Sequence, residues 1–284
     1  MTDPNQAEAA PLPPIIENPL VTYGGYLHVG PLLDLQQPLS EPEHHDEMLF
    51  IIIHQVYELW FKQLLHEADA AVAAFDADRV LVGHKIFRRV TSIQRVLVTQ
   101  LQVLETMTPQ DFGVFRKRLN PASGFQSAQF RELEVLSGLK DPRYLRYHQR
   151  DPDSHARLAQ RLEEPTIYDA FVACLGRAGF DVPTAAPEAD TEDCDRLLQA
   201  LRRIYEDSDA HYALYLMCEY MIEYDELFQI WRFNHVKMVE RTIGIKRGTG
   251  GSAGAMYLRS TLSKRFFPEL WDVRSLLGGD GQGS

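Results

Sequence analysis

Four histidines, His44, His45, His54 and His66, stand within HHDEMLFIIIHQVYELWFKQLLHE, residues 44–67. A helical zinc site needs two ligands one turn apart, as in H-E-x-x-H, and these four lack that spacing. His54 instead joins Phe50, Tyr57, Phe61 and Leu64 on an apolar stripe at helical steps, with Gln55, Glu58 and Lys62 on the opposite face. His235 holds the same kind of position in a second long pattern through Leu214, Met217, Met221, Phe228, Trp231 and Thr242. A histidine on such a stripe can be a cofactor ligand, an acid–base group, or a hydrogen-bonded core residue, and residue type alone leaves all three open. His44, His45 and His66 lie nearer charged neighbours and read as cap or surface residues. Asp46 and Glu47 read as a solvated helix start near the positive end of the helix dipole.

Arg116 closes DFGVFR and is followed by PASGFQS at 121–127. Flanked by Phe112 and Phe115, its guanidinium could clamp a carboxylate with two parallel hydrogen bonds, or its stem could simply pack on the aromatics. In GTGGSAG, Gly248, Gly250 and Ala253 formally fit a dinucleotide fingerprint, but a long helical pattern precedes them and Lys246 comes before the glycines rather than after. What remains is a loop with Thr249 and two cations, able to close over an anionic group or to serve only as a helix exit. Cys174, Cys194 and Cys218 are odd in number and far apart, which suits buried, inert thiols better than a disulfide framework.

These residues need helices to position them. Helical periodicity covers 47–67, then 81–107 up to the Thr108–Pro109 step, then 123–138 up to Gly138. The Pro- and acid-rich VPTAAPEADTED, residues 182–193, reads as a surface loop. From Ser208 to Ile243 no Gly or Pro interrupts the pattern until Gly244, which predicts a helix of roughly 50 Å. A C-terminal amphipathic segment follows. No run alternates at period two, so the expected class is all-α: one helical-bundle domain over 19–277 with long core helices. A disordered arm (1–18) and a flexible tail (278–284) are expected at its ends.

A net charge of -11 offers no attractive field to phosphate backbones or anionic lipids, so neither nucleic acid nor membrane is an expected partner and a small molecule is. The longest apolar run, MLFIII at 48–53, is far short of the roughly 20 residues of a membrane span. The first fourteen residues carry no Lys or Arg and no apolar core, unlike a signal or transit peptide, and the expected location is the cytoplasm.

Taken together, YGGYL (23–27), HDEMLFIIIHQVYELWFKQ (45–63), LETMT (104–108), PASGFQS (121–127), FQIWRFNHV (228–236) and IGIKRGTGGSAG (243–254) follow the order found in one family. Over roughly residues 19–277 the chain resembles the tryptophan 2,3-dioxygenases, which belong to the histidine-ligated haem aromatic oxygenases. The resemblance implies an all-helical fold, non-covalently held haem b active as Fe2+, and a homotetramer in which each N-terminal segment completes a neighbouring site. It implies cleavage of the indole C2–C3 bond of L-tryptophan by O2 to give N-formylkynurenine, the entry into tryptophan catabolism by the kynurenine pathway.

The same resemblance makes His235 the axial ligand to iron and His54 the distal residue facing the indole N–H, with Phe50 beside the ring. Arg116 and Thr249 are implied to grip the carboxylate and ammonium, with Ser123 near the distal haem face. Tyr23, Tyr26 and Leu27 are implied to reach in from the adjacent subunit. Two positions depart from the family pattern: Gly30 stands where relatives often carry an acid, and Phe112 where some bacterial members place a Tyr. Two alternatives use parts of the same set. One is a haem oxygenase, including a monooxygenase, acting on a substituted indole or tryptophan derivative. The other is a haem sensor or carrier without turnover, which would need His235 but not Arg116 and Thr249 together; a non-haem helical scaffold would need none of them.

Overall fold

The computed structural model describes residues 20–244 and 254–278, and among these all regular structure is helical. The arm expected over 1–18 and the tail from 279 onward lie outside the described residues, as does Thr249 with its loop. The chain divides into two compact units between Gln37 and Pro38.

The first unit holds two short helices, α1 (Tyr23–Leu27) and α2 (Val29–Leu33). Thr22 caps α1 by accepting a hydrogen bond from the Gly25 amide, and His28, in the left-handed region at φ 51°, turns the chain between them.

The second unit is built on three long helices: α3 (His45–Asp76), α4 (Val80–Leu104) and, later in the chain, α10 (Tyr212–Ile243). At the start of α3, Glu47 is not solvated as its charge suggested but buried. Its carboxylate accepts hydrogen bonds from the Leu39 amide (2.8 Å), the Ser40 amide (3.0 Å) and the Ser40 hydroxyl, which itself accepts from the His44 amide at 2.8 Å. Burial alone would raise the pKa of Glu47, but these donors outweigh it and hold the carboxyl below its ordinary value. Helix α3 runs past the expected end at residue 67 because ADAAVAAFD continues in good helix formers, with Ala68, Ala71, Ala74 and Phe75 buried. There α4 approaches closely: a Cβ on Gly83 would lie 2.9 Å from the Phe75 ring and 3.3 Å from the Met217 sulfur of α10. Helix α10 ends where expected, at Gly244 with φ 63°.

Between the long helices, Thr108 and Asp111 form a capping box that starts α5 (Pro109–Phe115). The single helix expected over 123–138 is instead a 3₁₀ turn, Gly124–Gln126, followed by α6 (Ala128–Leu136). Two serines compete for the backbone there: Ser123 accepts from the Phe125 amide and Ser127 from the Phe130 amide, so the chain caps twice. Of the remaining helices, α8 (Ile167–Arg177) packs on α3, α7 (Pro152–Glu163) on α6, and α9 (Glu192–Glu206) on α10. Residues 182–191 form the expected loop, tied down by Asp169, which accepts from the Ala186 amide at 2.9 Å, while Glu192 and Asp193 already belong to α9.

The C-terminal segment forms α11 (Ala255–Arg259), α12 (Pro268–Asp272) and a 3₁₀ turn at Val273–Leu276, shorter pieces than a continuous amphipathic helix. Their anchor is Asp225 of α10, fully buried, which accepts from the Phe266 amide (2.9 Å), the Phe267 amide (3.3 Å) and the Trp271 indole (2.9 Å). All three cysteines are free. Burial pushes the Cys174 thiol up to about 11 and Cys218 higher still, the direction expected of inert thiols. Among the described residues no helix is long and apolar enough to cross a membrane.

Candidate active site

His54, Arg116, Ser123 and His235, drawn from three separate stretches of the chain, line one cavity of about 310 Å³ within the second unit. Helix α3 supplies one side with His54, Tyr57, Glu58 and Phe61, and α10 supplies another with Trp231, Arg232, His235 and Met238. Phe112 and Arg116 enter from the end of α5, and the turn at Ser123–Phe125 closes a further wall. A largely apolar cavity with a few convergent polar groups is the usual form of a small-molecule site.

His54 lines this cavity and is exposed by surface area, although many protein atoms crowd around its ring. Its Nδ1 lies 2.7 Å from the Phe50 carbonyl oxygen one turn earlier. A carbonyl can only accept, so Nδ1 carries the proton and neutral His54 keeps its lone pair on Nε2. Burial lowers its pKa, more than the Phe50 carbonyl and the charge of Glu58 raise it. At His235, burial, followed by repulsion from a charged His54, pushes the pKa down to about 4. It is therefore a neutral imidazole at physiological pH, and among the described residues neither of its nitrogens has a hydrogen-bond partner. Its ring is held instead by stacking on Trp231, one turn earlier on α10, with centroids 5.0 Å apart and planes at 9°.

Phe50 does not reach the cavity surface. It backs the wall, with its ring 4.1 Å from His54, 5.6 Å from Phe112 and 5.6 Å from Phe115. Tyr23, Tyr26 and Leu27 belong to the first unit, where they are exposed at 79%, 75% and 45%. His44 caps α3 through Nδ1, and His45 and His66 are exposed.

Several cavity residues escaped the sequence reading. Glu58, assigned to the polar face, lines the cavity, where Gln129 donates to its carboxylate (2.8 Å) and its carbonyl (2.9 Å). Its place one turn after His54 was the available signal. Arg131, Glu134 and Arg232 form a buried trio in the same wall: Glu134 accepts from Arg131 at 2.5 Å and from Arg232 at 3.0 Å. The Arg131 guanidinium lies 4.0 Å from the centre of the Tyr144 ring, and Arg232 lies 5.0 Å from both Phe228 and Phe266. Arg232 could have been noticed, since it falls on the apolar stripe of α10 between Phe228 and His235.

The sequence model of the family described as tryptophan 2,3-dioxygenase matches residues 15–178 and 196–277. The chain belongs to the tryptophan 2,3-dioxygenase family. It is 46% identical over 270 residues to the tryptophan 2,3-dioxygenase of Xanthomonas euvesicatoria pv. vesicatoria (strain 85-10), covering 92% of this chain and 89% of that one. It is also 46% identical over 260 residues to that of Myxococcus xanthus (strain DK1622), covering 90% and 89%. Every expected site residue lies inside the two matched ranges, and the unmatched stretch between them falls mainly on the α8–α9 connection, away from the cavity.

Proposed function

We propose that the protein is a haem-dependent dioxygenase that cleaves the indole C2–C3 bond of L-tryptophan with O2 to give N-formylkynurenine. The observation that carries this reading is the convergence of His54, Arg116 and His235 on one largely apolar cavity, in a chain of this family. The donor set suits a haem. His235 is neutral, and its ring nitrogens are uncommitted among the described residues, so it can give a lone pair to iron; the stacked Trp231 fixes its plane. Among the described residues no three His, Cys, Asp or Glu side chains gather to hold a bare metal ion, whereas a haem iron asks only one ligand of the protein.

When bound, haem b in its ferrous form supplies the activation of O2 that side chains cannot. The protein's own share is placement. With Nδ1 committed to Phe50, His54 offers Nε2 as an acceptor for the indole N–H, and so orients the ring without needing to remove its proton. Arg116 supplies the positive charge for the carboxylate, and Thr249, outside the described residues, is assigned to the ammonium. Phe112, Phe125 and Phe61 keep water from the reacting carbons, and Ser123 adds a hydroxyl beside them. Tyr23, Tyr26 and Leu27 are assigned to the site of a neighbouring subunit in a homotetramer, a role their exposure within this chain supports.

Reduced protein, L-tryptophan and isotope-labelled O2 should give a product heavier by two labelled oxygen atoms by mass spectrometry. A product with one oxygen, or turnover of a ring-substituted indole but not of tryptophan, would overturn the reading. His235→Ala should lose haem on purification; a variant with normal haem content and spectrum would displace His235 as ligand.

A further inference from the structure

We infer that Tyr57 is a positioning residue, whose hydroxyl braces the helix carrying His54 against the helix carrying His235 and fixes the His235 ring through Trp231. The inference rests on His235 being the iron ligand. Tyr57 lies three residues after His54 on α3, so the two share a turn and a face. Its hydroxyl donates to the Leu97 carbonyl of α4 at 2.6 Å, and that commits its only proton. The oxygen lone pairs remain, and Trp231 Nε1 of α10 donates to them at 3.4 Å. One oxygen atom therefore touches all three long helices. Trp231 in turn lies parallel to His235, at 9° and 5.0 Å, and is wedged from another side by Phe130 at 5.3 Å.

A metal-ligating histidine ordinarily donates its second ring N–H to a carboxylate or carbonyl, which sets the ring orientation and raises its basicity. Here the described residues offer His235 no such partner. The orienting role falls to a stacked indole, and the indole cannot turn about its own side-chain axis without breaking its bond to Tyr57. This arrangement orients the ligand without adding negative charge to it.

Tyr57→Phe removes the one oxygen and keeps the ring; Trp231→Phe keeps a stacking partner for His235 but removes the donor. In ferrous protein each should shift or broaden the iron–histidine stretching band seen by resonance Raman. Each should lower kcat about fivefold, the effect of one ordinary hydrogen bond, while leaving KM for tryptophan within about twofold, because Arg116 is untouched. The double variant should resemble either single one, since both remove the same link. Haem-free protein labelled with 15N-tryptophan gives a separate reading: the Trp231 indole N–H resonance should move in Tyr57→Phe. An unmoved indole resonance, an unchanged stretching band, or effects that add in the double variant would each overturn the brace. Wild-type protein unable to bind haem would instead overturn the proposed function, while the indole resonance still decides whether Tyr57 holds Trp231.

Discussion

The Nδ1 atom of His54 is bound to the carbonyl oxygen of Phe50 at 2.7 Å, a contact within one turn of α3 that decides which ring nitrogen faces the cavity as an acceptor. Acceptance ends when Nε2 is protonated. Because burial holds the His54 pKa below its ordinary 6.5, that loss comes only at acid pH. Tryptophan affinity should therefore be insensitive to His54 between about pH 6.5 and 8 and weaken as pH falls below that range. His54→Gln, whose amide oxygen accepts without titrating, should flatten the acid limb. A limb centred above pH 7, or one unchanged in His54→Gln, would show that another group controls it. His54→Ala should keep measurable activity and tolerate 1-methyltryptophan relatively better; total loss with haem and substrate bound would make His54 an obligatory base.

Arg116 lines the cavity beside Phe112, and a phenylalanine cannot share the carboxylate with it. Replacing Arg116 with Ala should weaken tryptophan binding by about 2 to 5 kcal/mol, the cost of losing a charge-assisted contact in a partly buried site. Apparent affinity from steady-state kinetics or spectral titration is the measurement, and an unchanged value would remove Arg116 from the substrate. Phe112→Tyr, which adds a hydroxyl, should tighten binding in Arg116→Ala more than in the parent.

The long helices were legible because their apolar stripes run unbroken over many turns: α10 ends at Gly244 as its sequence requires, and α4 stops before Thr108. Short-range chemistry was less legible. Ser123 and Ser127 each cap a turn, and nothing in helical periodicity says that two caps will split one helix. His54 and His235 stood out as polar groups on apolar stripes. Glu47, Glu58 and Glu134 did not, because a carboxylate in a helix is ordinarily solvated, and only tertiary partners reveal that Ser40, Gln129 and the two arginines receive them.

Glu134 shares its carboxylate between two buried guanidiniums, with side-chain exposures of 5% for Glu134, 7% for Arg131 and 3% for Arg232. Glu134→Gln keeps the shape but leaves two like charges together without a counter-charge. The variant should lose about 3 to 5 kcal/mol of stability, the usual cost of breaking a buried pair from one side. Chemical denaturation of haem-free protein would measure it, free of any effect on cofactor binding. A loss under about 1 kcal/mol would mean that the arginines relax into solvent and that the trio does not hold the cavity wall.

Glu269, at the start of α12 and 2% exposed, carries a cost that depends on pH. Its Oε2 has no partner in hydrogen-bond geometry, and its Oε1 receives the Cys194 thiol at 3.9 Å. Burial first, and then the charge of Asp272, raise its pKa above the ordinary 4.5 against weaker lowering by nearby donors. Above pH 4.5 the unfolded chain gives up this proton while the folded chain retains it. The unfolded state then binds fewer protons, so stability from this group falls as pH rises through the folded pKa and is fully present below 4.5. Glu269→Gln removes the titration while keeping the shape. The variant should match the parent near pH 4.5 and be the more stable of the two at pH 8, with denaturation midpoints diverging above pH 4.5 and levelling off once the folded carboxyl has ionised. A difference that does not grow with pH would mean that Glu269 ionises in the folded protein as readily as in the unfolded chain.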